Sequence, residues 1–370
     1  MKKQSSRDTC RSDWCALIRD RRWSTRQKLI LLESIGPPAA VLNAPRSRIQ
    51  ELIGLTKHWH AGRAAARDVE RDMDWLSQAS HQLIDFWHAS FPSALRELPD
   101  PPIALFAIGD LTCLNEPKVS IVGSRRPTPV GRRLVASIAS DLARLGVVVT
   151  SGMALGIDGL AHQAALAENA KSIAILGSGL DRPTPSRHEK LYKQLCETGL
   201  VLSEYPIGTH ATRYTFPERN RLVSGVSLGV VIVEAAERSG TLITARLAME
   251  QNREVMVLPG SALSAQYAGS HRLIQQGAGL VLDGQDVLNC LALEIQQSVA
   301  ASSKTEAAIV RGLPSDCVEL LHCIDAAGST VNDIILESGL TPAEVSSMLI
   351  TLELAGAVAV GVDGGYVNLS

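Results

Sequence analysis

The chain lacks any apolar run long enough to span a bilayer, and its first residues are polar rather than those of a secretory leader. Neither a membrane protein nor a secreted one is expected, and a reducing cytoplasm fits best. Cysteine occurs in no framework. The seven are an odd number at irregular spacing, and Cys10 and Cys15 have neither CxxC spacing nor neighbouring histidines. A disulfide scaffold and a zinc site are therefore not expected. Excess charge of one sign is missing too: 36 Lys and Arg face 38 Asp and Glu, a formal net charge of −2. Any contact with nucleic acid must come from a local patch, because there is no global positive field. What is present is 45% hydrophobic and 20% charged residues over 370 positions, a soluble globular composition too long for one ordinary core.

Residues 118–170 organise the rest. Val119–Val122 is a short apolar run closed by Gly123, the pattern of a buried parallel strand. Thr128 and Pro129 supply an N-cap and a first-turn proline; Leu134, Ile138, Leu142 and Leu145 then recur at helical spacing, and Gly146 ends the helix. Val147–Thr150 begins a second strand. The loop between strand and helix carries Ser124, Arg125 and Arg126. Loop amides, a helix N-terminus and an arginine together suit a phosphate-like anion. The spacing is neither GxGxxG nor GxxxxGK[ST], so nothing points to a dinucleotide. A solvated arginine pair on a turn is the bland alternative.

Toward the N-terminus, residues 1–28 hold nine Lys and Arg against three Asp. Residues 1–24 read as a flexible basic arm, able to touch nucleic acid or simply solvated. A helical module is expected over 25–100. In it, Ile35-Gly36-Pro37 resembles a helix-hairpin-helix turn whose amides could hold a phosphate, and Trp59 and Trp75 are core aromatics. Its helical patterning continues to about Ile84. After Asp100-Pro101-Pro102, Ile103–Ile108 reads as an edge strand. Over 101–298 strands at Ser172–Leu176, Leu200–Ser203, Leu228–Val233, Val255–Leu258 and Gly279–Leu282 alternate with helices. This predicts the α/β class: a Rossmann-like doubly wound, mostly parallel sheet with its ligand outside the strands' carboxyl ends. Residues 299–312 read as a polar linker. Residues 313–370 read as three helices and a hairpin, a winged-helix pattern. The third helix, opened by Thr341, carries no Lys or Arg through Leu354, so protein contact is expected of it rather than groove reading.

The expected strand-end loops carry the chemistry. Most are rich in Gly or Ser, which lets amides approach an anion, and two supply arginines. Phe216 is either a base-stacking ring or a core anchor. Arg219 and Arg221 lie roughly 200° apart around a helix, so one is expected to reach the site and the other a structural carboxylate. Asp158 and His162 stand at i, i+4 without a third ligand, and Ser124 has no partnered base. Metal and nucleophilic chemistry are therefore not expected.

In order along the chain stand Val-Ser-Ile-Val-Gly-Ser-Arg (119–125), Ser-Gly-Met-Ala-Leu-Gly-Ile-Asp (151–158), Ser-Glu-Tyr-Pro (203–206) and Phe-Pro-Glu-Arg-Asn-Arg-Leu-Val-Ser-Gly (216–225). Val-Val-Ile-Val-Glu-Ala (230–235), Ser-Gly-Thr-Leu-Ile-Thr-Ala (239–245) and Leu-Pro-Gly (258–260) follow. The set resembles the DNA-processing protein A family, DprA or Smf. That resemblance implies a cytoplasmic bacterial protein of natural transformation that binds and protects single-stranded DNA and loads the recombinase RecA onto it. It also implies a homodimer of Rossmann-like domains, and no cofactor. By the family pattern Ser124, Arg125 and Arg213 would contact phosphate, Phe216 would lie near a base, and Gly240 and Thr241 would line the pocket. Gly123, Arg219, Asn220 and Arg221 complete the candidate DNA-binding set. Leu155, Asn252 and His271 depart from common family residues. Two rival readings are a phosphoribohydrolase and a small-nucleotide sensor. The first lacks its carboxylate, because the PGGxGTxxE position holds Thr244.

Overall fold

The computed structural model describes residues 2–54, 62, 64–291, 314, 316–317, 320, 323–324, 329–354, 358–360 and 366–368. The chain divides into two compact units, Met1–Glu294 and Ile295–Ser370.

The first unit is built on nine strands: β1 (His81–Asp85), β2 (Ala104–Gly109), β3 (Lys118–Gly123), β4 (Val148–Ser151), β5 (Ser172–Ile175), β6 (Leu200–Ser203), β7 (Gly229–Val233), β8 (Glu254–Val257) and β9 (Gly279–Leu280). They lie in the order β1-β2-β6-β5-β4-β3-β7-β8-β9. β3 to β9 are parallel, and β2 pairs antiparallel with both β1 and β6. From β3 the chain steps outward through β4, β5 and β6, then returns to the other flank of β3 for β7, β8 and β9. β3 is therefore the switch point of a Rossmann-like doubly wound sheet, the place where such folds leave a crevice.

The helices of this unit are α1 (Lys2–Arg19), α2 (Thr25–Ile35), α3 (Pro38–Asn43), α4 (Arg46–Ile53), α5 (Ala66–Leu76), α6 (Ser93–Arg96), α7 (Pro129–Arg144), α8 (Ile157–Ala167), α9 (Glu189–Thr198), α10 (Thr215–Val226), α11 (Thr241–Glu250), α12 (Ala268–Gln275) and α13 (Gly284–Cys290). Strand residues alternate between two cores, as a pleat of period two requires. Leu105, Ala107, Ile173, Ile175, Leu200 and Leu202 pack with Leu222 and Val226 of α10 and Ala245 of α11. Phe106, Ile108, Ala174 and Val201 face the other way, onto Leu191 and Leu195 of α9 and Trp75 of α5. α7 shows why a helix forms where it does. The Thr128 side chain accepts from the Gly131 amide, Pro129 opens the first turn, and Val135, Ile138, Ala139 and Leu142 make one buried stripe.

Four expectations change. Residues 1–24 are not a loose arm, since α1 buries Trp14, Cys15 and Leu17. Arg19 donates to Asp72 of α5 through Nε at 2.5 Å and Nη2 at 2.7 Å, and to the Ile207 carbonyl at 2.6 Å. Arg22 pairs with Asp20, and Lys28 donates to the Ile18 carbonyl, so part of the basic run holds structure. Nor is 25–100 wholly helical: residues 81–85 form β1, and β2 lies between β1 and β6 rather than at the edge. The stretch ending near Ile84 is a half-buried edge strand, and its pairing with β2 overrides the helical expectation. In the turn at 35–37, the Gly36 amide is spent on the Leu32 carbonyl and Pro37 has none, so the turn is poor in donors for a phosphate. Trp75 is buried as expected, while Trp59 lies outside the described residues.

In the second unit α14 (Val331–Ser338) and α15 (Pro342–Leu354) precede a hairpin of β10 (Val358–Val360) and β11 (Tyr366–Asn368). Capping boxes start both helices, Thr330 with Asp333 and Thr341 with Glu344. Cys317, Leu320, Ile334, Val345, Leu349 and Val358 share one core. The expected linker 299–312 and the turn at 363–365 lie outside the described residues.

Candidate nucleic-acid interface

A cleft of about 710 Å³ opens at the carboxyl ends of the central strands, walled by the loops after β3, β4 and β7 and by the start of α10. Backbone packing shapes it. The Ser124 amide donates to the Val233 carbonyl at 3.2 Å, and a Cβ on Gly123 would lie 1.9 Å from that same oxygen. Gly156, at φ +83, lets the β4–α8 loop approach the Ser124 carbonyl, where a Cβ would stand 2.3 Å away. These glycines serve chain-to-chain contact. Gly240 differs: nothing lies within 4 Å of where its Cβ would be.

A buried carboxylate fixes the loop that carries the arginines. Glu234 sits at the end of β7 with φ 56, a left-handed conformation that a non-glycine residue adopts at a cost. Its Oε2 accepts from the Thr128 amide at 2.9 Å, and its Oε1 accepts from the Thr128 hydroxyl and from the Tyr267 hydroxyl at 2.9 Å. A buried charge needs such donors. Gln266 adds a tie from Nε2 to the Ser124 hydroxyl at 2.7 Å, and that hydroxyl also accepts from the Arg126 amide. Glu234, Gln266 and Tyr267 stand outside the candidate set read from the sequence. Glu234 could have been flagged as a lone acid ending an apolar strand; Gln266, 142 positions from Ser124, carries no local signal.

Of the candidates, Gly123, Ser124, Arg125, Arg213, Phe216, Arg219, Asn220, Gly240 and Thr241 line this cleft, and Arg221 does not. Arg125 and Arg213 are exposed, and neither is ion-paired among the described residues. The Arg125 guanidinium stands over the Phe216 ring at 5.6 Å from its centroid. Phe216 is half-buried in the cleft wall and belongs to neither face's core, so of its two sequence readings the core anchor is the one set aside. Tyr214, not in the candidate set, is 62% exposed beneath the Arg213 guanidinium, 4.7 Å from its ring centroid.

The two helix arginines part as their spacing implies: Arg219 lines the cleft and Arg221 meets a structural carboxylate. Arg221 turns away from the cleft and pairs with Glu204. That carboxyl is pushed up to about 7 by its burial, against the pull of Arg221. Arg219 is buried in the cleft floor, its guanidinium engaged in donating to the carbonyls of Gly152, at 2.6 Å, and Ile175. Burial lowers its pKa to about 10. A Cβ on Gly152 would strike that guanidinium, which explains the glycine. Asp158, whose charge opposes that of Arg219, accepts from the Ala154 amide, and burial raises its pKa. His162 is fully buried. The Ser172 hydroxyl donates to the Val149 carbonyl and so accepts from His162 Nδ1, leaving Nε2 without a partner.

Comparison with known proteins bears on this geometry. Residues 82–292 match the family described as DNA recombination-mediator protein A, and residues 303–364 match the DprA winged helix domain. The chain belongs to the DprA/Smf family. Protein Smf of Escherichia coli (strain K12) is 40% identical over 311 residues, 82% of this chain and 81% of that protein. DNA processing protein DprA of Streptococcus pneumoniae (strain ATCC BAA-255 / R6) is 44% identical over 198 residues, 54% of this chain and 70% of that one. The X-ray structure of DprA from Streptococcus pneumoniae superposes with a TM-score of 0.64 at 32% identity, covering 75% of this chain and 97% of that one. A second solved structure, of DprA from Helicobacter pylori and described by its single-stranded DNA binding mode, gives a TM-score of 0.53 at 33% identity over 58% of this chain and 97% of that one. The DprA match takes in the whole strand-end cleft and excludes α1 to α5.

Proposed function

We propose that this DprA-family chain binds single-stranded DNA in the strand-end cleft, protects it, and delivers it to RecA in natural transformation, as a cytoplasmic homodimer without hydrolytic activity. The observation that carries the reading is the gathering, in one crevice at the switch point, of an aromatic ring and two exposed arginines that have no ion pair among the described residues. Arg125 and Arg213 supply phosphate contacts, and Phe216 offers a face that every base can use, so binding is independent of sequence. Ser124 and Thr241 add hydroxyls, and Gly240 leaves room for a backbone to pass. The Helicobacter pylori relative, described by the way it binds single-stranded DNA, supports the same reading.

A phosphoribohydrolase is the competing reading, and the cleft disfavours it. Thr244 stands where that chemistry needs an acid, and the two buried carboxylates lining the cleft are both engaged, Glu234 by Thr128 and Tyr267 and Asp158 by the Ala154 amide. Fluorescence-anisotropy titration with oligo-dT and the matched duplex tests the reading. Clear preference for the single strand is expected. Equal affinity for both, or base release from a nucleoside monophosphate that is lost in Arg125→Ala, would replace it.

A further inference from the structure

A second cleft, also of about 710 Å³, lies on the other side of the loop after β3 and shares Arg125 with the first. Arg126 follows on the same loop, Arg132 comes from the first turn of α7, and Arg187 comes from the short turn before α9. His188 forms one wall, its Nδ1 donating to the Met153 carbonyl at 3.0 Å. Its ring packs where a Cβ on Gly159 would lie 2.4 Å away. Leu155 and Leu160 give the cleft an apolar portion.

The charge pattern is one-sided. No Asp or Glu lines this cleft, and none of its four arginines is ion-paired among the described residues. Other exposed arginines do have partners, such as Arg48 with Glu51 and Arg144 with Asp141. Like charges facing one another across a concave surface repel, and a bound anion relieves that repulsion. In a chain of net charge −2, such a gathering is a local device.

We propose that the second cleft takes the strand phosphate adjacent to the one held at Ser124 and Arg125. The two clefts then form one track, along which a single strand crosses the loop after β3. This rests on the single-stranded DNA reading above. A continuous strand is favoured over a free phosphate because the clefts meet at one side chain: a mononucleotide fills one of them, while a strand with phosphates in sequence fills both. The leucines suit sugar and base edges without reading sequence.

The test uses the full chain, long oligo-dT and thymidine monophosphate. Arg132→Gln and Arg187→Gln are combined in one variant, with wild-type melting checked first. For oligo-dT the slope of log K against log salt falls by about 0.7, the value of one phosphate contact, while thymidine monophosphate, measured by calorimetry, binds as before. Gln163→Arg, which adds a cation to the rim of the same cleft, steepens the oligo-dT slope by about the same amount. Should the combined variant destabilise the fold, this gain of slope carries the test alone. The inference is overturned if Gln163→Arg leaves the slope at its wild-type value, or if the combined variant keeps wild-type slope while Arg213→Gln still weakens binding. Equal loss for thymidine monophosphate overturns it as well, making the cleft a small-anion site. If Arg125→Gln and Arg213→Gln also leave oligo-dT affinity unchanged, the single-strand reading fails along with it.

Discussion

Arg125, Arg213 and Phe216 face the same cleft with different chemistry, and salt separates them. Removing an arginine that holds a phosphate removes a counterion-release contribution. Arg125→Ala and Arg213→Ala should therefore each lower the single-strand salt slope by about 0.7, and together by about twice that. Phe216→Ala should weaken binding with the slope unchanged, because stacking contributes about 1–3 kcal/mol per base without displacing ions. Anisotropy titrations across a salt series read both. Arg221→Gln is the internal contrast: its partner is Glu204 and its head lies outside the cleft, so slope should hold while stability falls.

Among the elements, α1 is clamped rather than draped. Arg19 is 13% exposed and Asp72 fully buried, and the same carboxylate accepts from the Ile207 amide. Arg19→Leu leaves that charge uncompensated and should destabilise the first unit by about 3 kcal/mol, read from the urea midpoint. α8 gives a pH dependence. Desolvation, with His188 and Arg219 nearby, drives the His162 imidazole from 6.5 down to about 3. The unfolded chain thus takes up a proton below pH 6.5 that the folded chain refuses. Stability present above pH 6.5 is lost as pH falls toward 3, at up to about 1.4 kcal/mol per pH unit. Urea titrations at pH 7 and 5 should show that loss, and His162→Gln should reduce it by one proton's worth.

For the whole molecule, the two units divide the labour unequally. α15 carries no cation, and the strand-end cleft lies wholly in the first unit. Deleting residues 295–370 should therefore cost less than tenfold in single-strand affinity, under about 1.4 kcal/mol. Anisotropy on the truncated chain checks it, and a larger loss would assign DNA contacts to the winged helix.

The sequence by itself determined the parallel strands, α7 and the loop it caps. Those signals are local: an apolar run closed by Gly123, an N-cap at Thr128 and a buried stripe of 3.6-residue period. Arg125 was legible beside the strand that Gly123 closes, while Arg213 and Phe216 entered through the family resemblance carried by the motif at 216–225, and all three line the cleft. Tertiary structure alone decided the rest. Whether Arg219 meets a ligand or the Gly152 carbonyl depends on where a loop 67 positions away folds back, and Arg221 is drawn off by Glu204 from the neighbouring strand end. The basic run at the N-terminus looked like an arm because pairing partners such as Asp72 lie far along the chain. A charge is solvated or structural according to what packs against it, and sequence spacing does not carry that information.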